Sequence, residues 1–363
     1  MENKNEWKKV KLEEIVTITM GQSPKSEFYN SSGKGMPFLQ GNRTFGRIFP
    51  FFDTYTTKIT KIAQKNDIIM SVRAPIGDLN IATENICLGR GVCSLKMNNG
   101  NHSFLFYLMK HYSSQLINRG NGTVFTSINK SEISNLNIYI PTNEIIQKKI
   151  AKILSDIDER IELNNKINDN LEKQAISIFQ NFIINKNKIQ YKKLQDISIL
   201  KYGKNLPTKN ILKTGYPVFG GNGIIGFFNS YSYELPQILV SCRGAASGKI
   251  IISYPKSFIT NNSLIIEMKD RKYFEFFKIY FQINQLYNYA TGSAQPQITI
   301  ENIKDILVPF PEYEQIDKLT ILFSYFSDKI FYGKKENEKL TNLKNYLLPK
   351  LMNGEINVEN IEL

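Results

Sequence analysis

The sequence predicts a mixed α/β protein: two tandem sheet lobes, joined by two long helices packed as an antiparallel coiled coil, with an internal pseudo-twofold repeat. Three observations predict this fold. Segments recur in the same order 169 to 184 residues apart, β-branched runs mark short strands, and each repeat ends in an apolar seam of helical spacing. The expected boundaries are 1–146 for the first lobe, 147–186 for the first long helix, 187–313 for the second lobe, and 314–363 for the second helix and C-terminal tail.

The repeat is read from paired segments. "WKKVKLEEIVTITMGQSP" at Trp7 matches "YKKLQDISILKYGKNLP" at Tyr191, and "DIIMSVRAPIGD" at Asp67 matches "QILVSCRGAASGK" at Gln237. Further matches begin at 37 and 217, at 122 and 292, and at 153 and 322. The preserved order and stepwise shrinking offset indicate a tandem duplication with deletions in the loops.

Each lobe is expected to combine short strands with one aromatic-rich helix. The runs "DIIMSV", "QILVSC" and "SLIIEM" are bounded by Gly and Pro, which predicts strands. Segments 103–117 and 273–288 are expected to be the helices.

The long helices are predicted from a three-to-four apolar seam, interrupted at Asn164 and Ala175, that requires a partner helix. In the second copy Gly333 falls inside the predicted helix, so the pairing there is expected to be less regular. The alternative interpretation is two unrelated surface helices that do not pair. The carboxylates Asp156, Asp158, Glu159 and Glu162 lie beside Lys and Arg, which is typical of a solvated face. The residues expected to pair the helices are Ile150, Ile153, Ile157, Ile161, Leu171, Ile178, Leu322, Phe326, Ile330, Leu340, Leu347 and Leu351.

The stretch "GNGIIG", residues 221–226, fits the glycine pattern of a dinucleotide loop. That loop requires a following helix, whose N-terminus holds the phosphates. The sequence after it has no helical period, and the first copy shares only the Gly-Asn pair and a later glycine. The glycines are therefore expected to form tight turns between strands.

The charge distribution favours an anionic partner. The net charge of the chain is +13, and it is concentrated in two blocks: +8 over 1–150 and +7 over 191–310. The segments 151–190 and 311–363 carry 0 and −2. A uniformly basic composition would not alternate in this way.

Catalytic and metal sites are not expected. The three cysteines form no C-x-x-C pair and the two histidines leave little for a metal site, so no cofactor or metal is predicted. Cys87 and Cys93 are expected in the core. The sequence has no Walker A loop and no Asn/Asp-Pro-Pro-Tyr/Phe methyltransferase motif, and the Glu267-Met268-Lys269 triplet is expected to be a strand end. With no apolar signal core and no membrane-length apolar run, a cytoplasmic location is expected.

Binding residues are expected in the loops. Arg73 and Arg243 occupy equivalent positions after a strand, where a guanidinium either pairs with a guanine edge or a phosphate, or fixes its own loop by bonding carbonyls. The other basic and amide candidates for DNA contact are Lys25, Arg43, Arg47, Arg90, Lys204, Lys209, Asn222, Lys249, Gln295 and Gln297.

Together these segments resemble the specificity subunit of type I restriction-modification systems. The resemblance rests on "WKKVKLEEI", "DIIMSVRAPIGDLNIA", "IPTNEIIQKKIAKILSDIDERIELN" and the C-terminal "LLPKLMNGEI", and it covers essentially the whole chain. It implies that the lobes are target-recognition domains, each reading half of an asymmetric bipartite site in double-stranded DNA. It also implies that the helices set the spacer and dock two modification subunits, which methylate adenine at N6 using S-adenosylmethionine. Restriction subunits with ATP-dependent endonuclease activity then join, and the specificity subunit itself is not catalytic.

The sequence also allows other functions. One is a duplicated interaction protein that does not bind DNA, another is a nucleotide-dependent enzyme using "GNGIIG", and a third is a specificity subunit of a related system whose methyltransferase and nuclease share one chain. Self-association of the isolated chain through exposed seam residues is also open.

Overall fold

The computed structural model describes residues 7–120, 127–185, 189–292 and 295–361. The chain divides into two compact units: the first comprises Met1–Leu163 and Glu336–Leu363, and the second comprises Asn164–Lys335. Two predicted features lie outside the described residues: the lobe boundary at 186–187 and the start of the repeated segment at Gly122.

The first unit is built mainly from the N-terminal repeat. Its strands are β1 (Trp7–Lys11), β2 (Val16–Met20), β3 (Tyr29–Asn30), β4 (Met36–Leu39), β5 (Tyr55–Thr56), β6 (Ile62–Ala63), β7 (Ile68–Ser71), β8 (Leu79–Ile81), β9 (Ile86–Leu88), β10 (Val92–Met97) and β11 (Asn137–Pro141). Its helices are α1 (Leu12–Ile15), α2 (His102–Gly120), α3 (Lys130–Ser134) and the first part of α4 (Glu144–Asn185).

The second unit follows the same order. Its strands are β12 (Gln190–Lys193), β13 (Ser198–Tyr202), β14 (Tyr216–Gly220), β15 (Gly223–Phe228), β16 (Ile238–Ser241), β17 (Ile250–Ile252), β18 (Phe258–Ile259), β19 (Ser263–Met268) and β20 (Leu307–Phe310). Its helices are α5 (Leu194–Ile197), α6 (Phe274–Ile283), α7 (Ile300–Ile303) and the first part of α8 (Tyr313–Met352), which ends in the first unit.

The sheet topology confirms the mixed α/β fold and the duplication. The four-stranded sheets have the orders β2-β10-β7-β8 and β13-β19-β16-β17. A two-stranded pair closes each repeat, β1 with β11 and β12 with β20, and each repeat has one parallel pair, β4 with β9 and β14 with β18. The loops diverge, because the third sheet has five strands in the first unit and three in the second.

The predicted strands lie at the centre of the main sheets. Every residue of β7 and β16 is buried, as expected for apolar runs covered on both faces. Helix α2 covers one face in the first unit, where Phe104 and Phe106 are buried with Ile68 and Met70. In the second unit α6 does the same, although it is shorter than the predicted 273–288 because it ends at Ile283.

The "GNGIIG" glycines lie in a β-hairpin and not in a phosphate-binding loop. Strands β14 and β15 pair antiparallel with Gly220 opposite Gly223, and a strand follows the turn where a nucleotide site needs a helix. The prediction of a tight turn between strands is therefore confirmed. Glu267 lies within β19 at 2.5 Å from Lys201 Nζ, so the Glu-Met-Lys triplet also belongs to the sheet.

Within each unit the segments of α4 and α8 run antiparallel. In the first unit Asp158 bonds Lys344 and Arg160 bonds Glu336, and in the second Glu172 bonds Lys334. None of the twelve predicted pairing residues is exposed: each is buried or half-buried. The predicted interruptions of the seam were wrong, because Asn164 and Ala175 are themselves buried members of it.

Gly333 lies inside the continuous helix α8 and does not break it. A Cβ atom at this position would lie 2.8 Å from Asn168 Oδ1, and Asn168 is buried. The glycine therefore permits close approach of the two helices in the second unit, at a position where most residues would clash.

Candidate nucleic-acid interface

The two equivalent arginines lie in loops that are anchored by equivalent backbone bonds. Arg73 forms an isolated antiparallel bridge with Ser127, and Arg243 forms one with Gln297. The neighbouring residues add one hydrogen bond to each bridge. The Ile128 amide donates to Val72 O at 2.9 Å, and the Ile298 amide donates to Cys242 O at 3.0 Å. Backbone bonds thus fix both loops, so the guanidinium groups are not needed to hold the loops in place.

Both arginines are exposed. Within the described ranges, no carboxylate lies within ion-pair distance of either guanidinium. An unpaired, planar group with five donors suits a phosphate or the O6 and N7 atoms of guanine.

A glycine closes each arginine loop. Gly77 has φ +88° and Gly248 has φ +92°, values that L side chains rarely adopt. The Gly77 amide donates to Ser71 O at 3.0 Å, and the Gly248 amide donates to Ser241 O at 2.9 Å. The loop therefore returns to the end of the strand that it left.

The residue after each glycine holds an asparagine from the Gly-Asn turn. Asn42 Nδ2 donates to Asp78 Oδ2 at 2.6 Å, and Lys249 Nζ donates to Asn222 Oδ1 at 2.7 Å. We call each of these two pairs an asparagine clasp. Asn222 and Lys249 are both among the residues predicted to contact DNA. Asn42 and Asp78 are not, although the Gly-Asn repeat marks Asn42 as the equivalent of Asn222.

Further predicted residues lie close to the arginine loops. Gln297 is the bridge partner of Arg243, and Lys204 bridges Thr260, whose amide bonds the end of β14. Arg90 is exposed and its amide donates to Ser23 Oγ, which in turn donates to the side chain of Gln40.

The remaining predicted residues are placed differently. Lys25 is exposed just before the short 3-10 turn Ser26–Phe28, Lys209 is exposed within the equivalent turn Thr208–Asn210, and Gln295 is exposed in its loop. Arg43 is exposed but forms a bidentate pair with Asp53 at 2.7 and 2.8 Å, which raises the pKa of Arg43 and lowers that of Asp53.

Arg47 is committed to a buried acid. Its guanidinium donates to Asp158 Oδ1 and to the Asp158 carbonyl oxygen, both at 2.6 Å. Asp158 also accepts from Lys344 Nζ at 2.6 Å and from Tyr107 Oη at 2.9 Å. The expectation of a solvated Asp158 was wrong: its side chain is 1% exposed because three donors satisfy it there.

The charges of this network shift several pKa values. Burial acts to raise the pKa of Asp158, but bonds from Lys344 and Tyr107 outweigh it and the net pKa is lowered. Burial, helped by the nearby Lys344, lowers the pKa of Lys110 to about 8, and burial beside Asp158 raises the pKa of Tyr107. The network is thus an anchor for the first unit, and it engages the Arg47 guanidinium, whose predicted contact with DNA stays a prediction.

The described residues carry no group of three or more His, Cys, Asp or Glu side chains arranged to hold a metal ion. Nor does any helix in those ranges have the length and apolar character that crossing a membrane requires. Cys87, Cys93 and Cys242 are all buried free thiols, as expected for the first two.

Comparison with known proteins agrees with this architecture. Residues 4–173 and 186–342 match the type I restriction modification DNA specificity domain. The chain belongs to this family, whose general role is the recognition of DNA sequence and whose members are non-catalytic specificity subunits.

Individual relatives carry the same description. The chain is 39% identical over 189 residues to a putative type I restriction enzyme MjaX specificity subunit of Methanocaldococcus jannaschii, a match that spans 51% of this chain and 44% of that protein. It is 23% identical over 410 residues to the MjaIX specificity subunit of the same organism, covering 98% and 95%. A crystal structure of a type I restriction-modification S subunit from M. genitalium shares the fold, with a TM-score of 0.69, 23% identity and 97% coverage of both chains.

Proposed function

We propose that this chain reads an asymmetric, two-part site in double-stranded DNA, with one half-site for each repeat. The observation that carries the proposal is the duplicated arginine loop with its asparagine clasp. Equivalent backbone bonds anchor the loop in both units, while the side chains around it differ in charge. Equivalently anchored loops with different side chains favour two different half-sites over a palindrome.

The contact residues divide by chemistry. Arg73 and Arg243 are proposed to bond guanine edges or phosphates, and the amide groups of Asn222 and Gln297 are proposed to bond base edges. The exposed basic side chains are proposed to supply the electrostatic part of the affinity. The proposed DNA-contacting set is Lys25, Arg43, Arg73, Arg90, Lys204, Lys209, Asn222, Arg243, Lys249, Gln295 and Gln297.

The long helices are proposed to fix the spacer between half-sites and to dock two modification subunits. Restriction subunits are proposed to complete the enzyme. In that assembly the adenine-N6 methyltransferase and ATP-dependent endonuclease activities belong to the partners. The names of the relatives, which are specificity subunits of type I restriction enzymes, support this role.

A salt titration of DNA binding tests the electrostatic part. Affinity is expected to fall steeply as salt rises, because the basic lobes release counterions from DNA. The Arg73→Gln variant is expected to lower the slope of log K against log salt by about 1 if its contact is a phosphate. Binding that is unchanged from low to moderate salt would exclude DNA as the partner.

A helix insertion tests the spacer. Adding one α-helical turn near Asn168, with the matching turn added in α8, is expected to lengthen the spacer and leave both half-site sequences unchanged. An altered half-site sequence would contradict the modular reading, and so would a palindromic footprint for the wild-type chain.

A further inference from the structure

Each asparagine clasp fixes the direction of an amide group. A carboxylate only accepts hydrogen bonds and an ammonium only donates them. Asp78 therefore holds Asn42 by its nitrogen, at 2.6 Å, and Lys249 holds Asn222 by its oxygen, at 2.7 Å. The charge of the holding residue therefore decides whether the nitrogen or the oxygen of the amide is held, and the other end is left without a partner within the clasp.

The two clasps occupy the same place in the repeat. The Ser71 amide donates to Asp78 O at 2.9 Å, and the Ser241 amide donates to Lys249 O at 2.9 Å. The asparagines each follow the glycine after an equivalent strand, β4 or β14, which forms a parallel pair in its own unit. Asp78 and Lys249 are thus equivalent positions with opposite charge.

The free ends of the two amides differ in polarity. Asn42 keeps its carbonyl oxygen free, and Asn222 keeps its amide nitrogen free. Within the described ranges, neither atom has a hydrogen-bond partner. Asn42 is half-buried and Asn222 is exposed, and each is tied to the loop that carries an exposed arginine.

The geometry points to Asn42 and Asn222 as equivalent base-reading residues whose preference is set by Asp78 and Lys249. The free oxygen of Asn42 accepts from an exocyclic amino group, N6 of adenine or N4 of cytosine. The free nitrogen of Asn222 donates to an exocyclic keto oxygen, O6 of guanine or O4 of thymine. This inference rests on the proposed function and specifies how the two half-sites come to differ.

The exchange of the holding residues tests the inference in the assembled methyltransferase. The Asp78→Lys variant gives the first unit the residue of the second, and Lys249→Asp does the reverse. Lysine reaches the asparagine from this backbone position in the second unit, so it has the length to do so in the first. Methylation and binding are measured on duplex libraries randomised across both half-sites.

The expected result is a reversal at one base position. In Asp78→Lys the first half-site changes from an amino base to a keto base, with a preference of about tenfold, which corresponds to ~1.4 kcal/mol. In Lys249→Asp the second half-site changes in the opposite direction. The Asp78→Asn variant has a neutral holder that both donates and accepts, so it relaxes the preference without reversing it.

Two controls reproduce the charge changes away from the clasps. Glu84→Lys adds the same charge to the first lobe as Asp78→Lys, and Lys213→Asp removes the same charge from the second lobe; both residues are exposed. Each control is expected to change overall affinity and its salt dependence, but no base preference. Thermal unfolding of every variant checks that the fold is retained.

The outcomes separate the inference from the proposed function. A wild-type complex that reads a specific site, with the same preference in Asp78→Lys, Lys249→Asp and Asp78→Asn, overturns the inference and leaves the proposed function intact. Equal changes in the control variants also overturn it. A wild-type complex with no sequence preference on any DNA overturns both.

Discussion

Removal of the Asp158 carboxylate is expected to destabilise the first unit strongly. In Asp158→Ala the ammonium of Lys344, whose side chain is only 13% exposed, loses its carboxylate, and the Tyr107 hydroxyl loses its acceptor. Breaking a buried ion pair by removing one partner costs about 3–5 kcal/mol. The Arg47 side chain is 33% exposed, so it is hydrated more easily and its loss of the carboxylate adds less to the destabilisation.

Asp156 provides a matched control on the same helix. It pairs with Lys152 four residues earlier, and both side chains are half exposed. Because exposed pairs of this kind contribute about 0.3–0.5 kcal/mol, Asp156→Ala is expected to be nearly neutral. The two variants remove the same group from helix α4 and differ only in burial.

Urea unfolding followed by tryptophan fluorescence measures the difference. The single tryptophan, Trp7, lies in the first unit and stacks on Tyr139 at 5.3 Å, so it reports on that unit. The transition of Asp158→Ala is expected at much lower urea than that of Asp156→Ala. Equal midpoints for the two variants would refute the buried-network account.

The stability that Asp158 adds is expected to depend on pH, because its pKa is lower in the folded protein than the ordinary value of 3.8. The contribution is complete above pH 3.8 and is lost as the pH falls through the folded pKa. Urea midpoints of wild type and Asp158→Ala are therefore expected to converge in acid, and a constant gap would contradict this. Gly333→Ala is expected to destabilise the second unit in the wild type but to stabilise it by about 1 kcal/mol in an Asn168→Ala background, where helix propensity acts without the clash. The same sign in both backgrounds of this double-mutant cycle would show that the contact is unimportant. Burial raises the pKa of the Cys93 thiol to about 12 and that of Cys242 to about 11, so native protein at pH 8 is expected to resist thiol reagents that label it fully in urea. Rapid labelling without urea would contradict their burial.

Local patterns predicted most of the fold. β-branched runs bounded by Gly and Pro located strands such as β7 and β16, because those strands are buried on both faces. The comparison of the two copies placed Arg73 and Arg243 in equivalent loops, which the isolated bridges bear out. The internal repeat also argued against a nucleotide-binding loop at residues 221–226, since the first copy lacks the required glycines.

Contacts between distant residues could not be read in this way. Asp158 resembles its exposed neighbours along the helix, and its burial is explained by donors that are distant in sequence, Arg47, Tyr107 and Lys344. Asn164 reads as an interruption of an apolar seam, although a buried seam tolerates a polar residue that finds a partner. The Asn42–Asp78 clasp joins two loops, and sequence spacing gave no sign of it.

The most direct test of the central claim is a map of N6-methyladenine in host DNA. The chain is co-expressed with a type I modification subunit from the same genome, and methylated positions are located by sequencing. The account predicts a two-part motif with a fixed gap and two different half-sites. Absence of methylation, with the complex intact and S-adenosylmethionine bound, would contradict the claim that the two repeats read DNA.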